Sequence, residues 1–217
     1  MNASQIYKGL AEKTITAEEI AGRTIAKPEL VQIMVAGMAE SKAEVKYGCA
    51  KVLRIVSDKE PELLYPHFDL FAKMLQNPNN IFQWQAIYVL ARLAGVDEDG
   101  KFEAVLDDYF TQVEGPVMVT AANAINHSAL IVRGQPRLAD QVVKHIFRGE
   151  LGIYEESDCH EIVCGTALKT FYKIRKWVSD PEPLYQFALR HLDSPRAPTA
   201  KAAEKFIARY EKEFAPA

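Results

Sequence analysis

Small and large apolar residues recur along this chain at helical spacing, in one frame that repeats five times. Nine-residue stretches starting at Val45, Phe82, Val117, Val163 and Pro198 align without gaps. Their fifth column reads Cys49, Ala86, Ala121, Ala167 and Ala202, and their ninth reads Leu53, Leu90, Ile125, Phe171 and Phe206. Positions i and i+4 share a helix face, so each stretch predicts a helix that a neighbour can approach over the small residue while the large one fills the next gap. A second apolar-periodic segment precedes each frame, over 28–38, 63–75, 104–113, 141–147 and 184–192, and predicts its partner helix. Asn, Pro and Gly clusters at 76–80, 115–116 and 193–195 punctuate the pairs, and no stretch shows strand alternation. The start-to-start intervals of 37, 35, 46 and 35 residues are those of stacked helical hairpins. The long interval maps onto 148–157, which reads as a loop insertion.

The run Val45-Lys46-x-x-Cys49-Ala50-x-x-Leu53 and its echoes resemble the inner-helix signature of HEAT repeats over roughly residues 27–212. Only Lys46 keeps the basic second position, which becomes Gln83, Met118, Cys164 and Thr199 in the later repeats. The resemblance implies an all-α, right-handed superhelical solenoid of about five hairpins, whose inner helices line a concave surface that holds proteins, peptides or, less often, nucleic acid. Residues 1–26 are expected to form an N-terminal helical cap, and 27–217 a single repeat array.

Composition adds limits to this picture. Apolar residues make up 48% and charged residues 25% of the 217, an ordinary globular balance. The net charge is −3, with neither half strongly basic, which disfavours a protein that grips duplex phosphates. Lys8, Glu12, Lys13, Glu18 and Glu19 interrupt the N-terminal stretch where a signal peptide needs an apolar run. The odd cysteine count (Cys49, Cys159, Cys164) suits neither a disulfide framework nor a paired zinc site. A cytoplasmic protein without a membrane span is the expectation.

Polar columns of the frame give the candidate binding residues. Positions four, seven and eleven supply Gln85, Tyr88 and Arg92, then Thr120, Asn123 and His127, then Thr166, Lys169 and Lys173. Amides, a ring and cations at i, i+3, i+7 of a rigid surface suit recognition of an extended peptide, so Gln85, Tyr88, Arg92, Asn123, His127, Lys169 and Lys173 form the candidate groove. Tyr47 and Trp84 share a column beside the packing positions and read as core. His160 and Cys164, at i, i+4, form a metal pair to which His127 is the candidate third ligand; two ligands on one face do not make a zinc site, and no metal or cofactor is assigned. The acidic run 97–101 lacks the spacing of a calcium loop and reads as a solvated turn. No Walker loop, GxSxG, GxGxxG or HExxH occurs. The expectation is a non-enzymatic protein- or peptide-binding scaffold, and the alternative is a nucleic-acid-binding enzyme resembling the HEAT-like alkylpurine DNA glycosylases.

Overall fold

The computed structural model describes residues 1–214, apart from the side chain of Ser157. Among the described residues there are thirteen α-helices, short 3₁₀ turns and no strand. The chain packs as two compact units, Met1–Phe102 and Glu103–Ala217; positions 215–217 of the expected repeat array lie outside the described residues.

The first unit holds α1 (Ala3–Ala11), α2 (Ala17–Ala26), α3 (Leu30–Gly37), α4 (Ala43–Lys59), α5 (Phe68–Met74) and α6 (Asn80–Leu93). Helices α2, α4 and α6 pack in succession, α1 and α3 lie against α4, and α5 lies against α6. The first two helices start at capping boxes, Asn2 with Gln5 and Thr16 with Glu19, each satisfying two otherwise orphaned backbone N–H groups. Helix α2, within the N-terminal 1–26, packs on α4, and α4 packs on α6. The frame explains the burial: Cys49, Leu53, Ala86 and Leu90 are wholly enclosed. Gly37 lets α3 close on α4, since a Cβ there would lie 2.4 Å from Cys49 Sγ. The single helix expected over 63–75 is instead two 3₁₀ turns, Pro61–Leu63 and Tyr65–His67, followed by α5. Pro61 and Pro66 lack the N–H that a continuous helix would use.

The acidic run at 97–101 is a turn with Glu98 and Asp99 exposed, as the sequence suggests, but Asp97 is not solvated. Asp97 is buried, its Oδ1 accepting from the Lys101 N–H (2.9 Å) and the Tyr65 hydroxyl (2.6 Å), its Oδ2 from the Phe102 N–H (2.7 Å). It ties the chain entering α7 (Lys101–Ala104) back onto the turn before α5.

The second unit holds α8 (Leu106–Tyr109), α9 (Met118–Gly134), α10 (Ala139–Arg148), α11 (Ser157–Ile174), α12 (Glu182–Arg190) and α13 (Ala197–Phe214). Helices α9, α11 and α13 pack in succession, with α10 against α9 and α11, and α12 against α11 and α13. Buried Phe171 and Phe187 meet edge to face at 5.3 Å. The helix expected over 104–113 is broken, because Val105 leaves the helical region (φ −110°, ψ 7°).

The insertion at 148–157 is stitched down. Ile153 N–H donates to Glu114 O (2.9 Å), and the Tyr154 hydroxyl donates to Val113 O (2.6 Å). Arg190 holds the Glu150 carboxylate with two bonds, of 3.0 and 2.8 Å. Gly115 accepts this approach with φ +103°, where a Cβ would strike Ile153 O at 2.1 Å. Arginines also pair carboxylates 34 positions earlier, in Arg92–Asp58, Arg137–Glu103 and Arg148–Glu114. No described helix is long and apolar enough to cross a membrane.

Candidate partner-binding surfaces

In the first unit, α6 carries Gln85, Tyr88 and Arg92 on one face, and all three are half-buried. Two guanidiniums approach the Tyr88 ring, with Arg54 Cζ from α4 at 5.1 Å and Arg92 Cζ at 5.7 Å from its centroid. Arg92 Nη1 donates to Tyr88 O (2.8 Å), and the same side chain pairs with Asp58. Gln85 Oε1 and Arg54 Nε are enclosed and make no hydrogen bond. Tyr47 and Trp84 are half-buried instead of core, and the Tyr47 hydroxyl accepts from Asn79 Nδ2 (2.8 Å).

In the second unit, Asn123 is half-buried, while His127 is 8% exposed with Nδ1 2.8 Å from Asn123 O. Lys169 and Lys173 are exposed, and Lys173 Nζ donates to Asn126 Oδ1 (3.2 Å). His160 spends Nε2 on Glu150 O (2.7 Å), and Cys164 Sγ stands 3.9 Å from its ring. Among the described residues no group of three or more His, Cys, Asp or Glu is placed to hold a metal ion. All three thiols are buried, and burial pushes Cys49 and Cys164 up to about 12.

A hollow of about 440 Å³ opens between α11 and α13, with Leu168, Pro198 and Ala202 as its apolar lining. Lys169, Lys201 and Lys205 stand around it, and Lys205 Nζ lies 4.8 Å from the centroid of the Tyr172 ring that forms one wall. Lys169 holds the seventh column of the fourth repeat, and Lys201 holds the fourth column of the fifth. Lys205 and Tyr172 fall outside the polar columns, and only the packing of α11 on α13 brings them to the hollow.

No protein-family model matches this chain, and no curated protein matches it. Solved structures do. It is similar to an engineered protein from the Northeast Structural Genomics Consortium at 16% identity and TM-score 0.54, over 97% of this chain and 89% of that one. It is also similar to a designed armadillo repeat protein at 12% identity and TM-score 0.53, over 95% of this chain and 89% of that one. At such identity the likeness is one of fold: this is an armadillo/HEAT-like helical repeat solenoid.

Proposed function

We propose that the chain is a non-enzymatic scaffold or adaptor that binds proteins or extended peptides through its inner helices, in a reducing, cytoplasmic compartment. The observation that supports this most is the face of α6, where an aromatic ring near the guanidiniums of Arg54 and Arg92 stands beside Gln85 on a helix packed against α4 and α5. An aromatic and an arginine on a rigid element are the residue types that dominate binding energy at protein interfaces. A repeat fold supplies such faces without chemistry of its own. Three unpaired, buried cysteines suit a reducing compartment.

The experiment is affinity capture from lysate with the Y88A/R92A/K173A variant beside the native chain, with and without nuclease. A protein partner that survives nuclease and is lost at least about tenfold with the variant supports the scaffold. Retention that disappears with nuclease and falls steeply with salt overturns it in favour of nucleic-acid binding.

A further inference from the structure

The hollow between α11 and α13 combines an apolar floor with unpaired positive charge. Its lining includes three lysines and no carboxylate. Among the described residues none of Lys169, Lys201 and Lys205 has an ion-pair partner, whereas the nearby Arg175 is neutralised by the two-pronged Glu213 contact at 2.6 and 2.9 Å. The charge on the lining itself is therefore that of the three lysines. Helices α11 and α13 are held at close approach beside the hollow, with Thr199 Oγ1 donating to Glu161 O (2.7 Å) and Gly165 leaving room for that hydroxyl, which an added Cβ would meet at 2.6 Å.

We propose that this hollow takes an acidic segment of a partner protein, seating one aromatic or branched side chain against Leu168 and Ala202 while Lys169, Lys201 and Lys205 meet the carboxylates around it. The inference rests on the peptide-binding reading above and gives it a ligand class. The volume, about 440 Å³, is that of a pocket for a compact group. Burial of the apolar side chain supplies affinity, and the lysines supply selection and rate of encounter, since exposed charge pairs are individually weak. Nucleic acid fits less well. A phosphate backbone has nothing to place on the apolar floor, and duplex binding needs a longer track of cations than three around one hollow.

The test uses fluorescence anisotropy with four labelled probes on the full chain. They are a short glutamate-rich peptide with one central phenylalanine, the same peptide with lysine for glutamate, the same with alanine for phenylalanine, and a short DNA duplex. The first should bind best, weaken as salt rises, and lose about tenfold in affinity with K169Q/K201Q/K205Q. These lysines are exposed, so circular dichroism of that variant should match the native chain. Equal or better binding of the lysine-rich peptide, or an unchanged affinity in the triple variant, overturns the inference. If peptide binding is lost with Y88A/R92A instead, the scaffold reading stands and only the location fails. If the duplex alone is bound, and through the lysines, both readings fail.

Discussion

At Gly37 the backbone of one helix passes so close to another that a single methyl group decides the fit. A Cβ would stand 2.4 Å from Cys49 Sγ and 2.9 Å from Tyr7 Cε1, and both neighbours are fixed, the thiol at 0% exposure and the ring by its hydroxyl bond to Ile33 O at 2.8 Å. Gly37→Ala should therefore destabilise by about 1–3 kcal/mol in urea unfolding. Gly22, also helical, has nothing within 4 Å of the added atom. Gly22→Ala should be neutral or stabilise by up to about 1 kcal/mol, because it only restricts the unfolded chain. The thiols give a second expectation at this scale. Cys49 and Cys164 are buried with their ionisation pushed to about 12, and Cys159 is buried too, so a disulfide-exchange reagent at mildly alkaline pH should titrate no thiol in the native protein and three once denaturant is added.

Among the elements, the helices most legible in the sequence are those whose two faces differ most. All five framed helices form, because a small residue followed four positions later by a large one suits only a face packed by a neighbour, and Leu53, Leu90, Ile125, Phe171 and Phe206 are all fully enclosed. The outer helices at 63–75 and 104–113 were less legible, since apolar spacing does not register that Pro61, Pro66 and Val105 break the backbone pattern. Helix α2 carries a faint copy of the frame, Ala17, Ala21 and Ile25, but its start lies 28 residues before Val45, short of the other intervals, so its place in the stack shows only in three dimensions. The candidate surfaces divide the same way. Gln85, Tyr88 and Arg92 follow from periodicity along one helix, whereas the hollow beside Lys201 and Lys205 depends on where two helices cross. That crossing is testable: Gly165→Ala, which would press on Thr199, should cost about 1–3 kcal/mol and loosen α13 selectively, seen as faster amide exchange there than in α9.

For the molecule as a whole, acid should be the destabilising direction, and two kinds of group set its course. His145 and His191 are held below the ordinary histidine value, first by burial, with Asp107 opposing it at His145 and Glu150 opposing it at His191. The unfolded chain therefore binds these protons more readily than the folded one, and stability falls as pH drops through about 6.5. Glu213 behaves as a paired carboxylate, held at about 2 by its hydrogen bonds to Arg175. Its contribution is complete above the ordinary glutamate value and is lost as pH falls from about 4.5 toward 2. The melting temperature should thus decline in two stages. His191→Gln should shrink the upper stage to the share of His145 without altering the lower, and Glu213→Gln should lower the neutral-pH melting temperature and shrink the lower stage. The second variant reports on the end of α13, because Arg175, 6% exposed, would be left as a buried cation without its carboxylate. A Glu213→Gln variant that melts at neutral pH like the native chain would show that the Arg175 contact does not hold in solution.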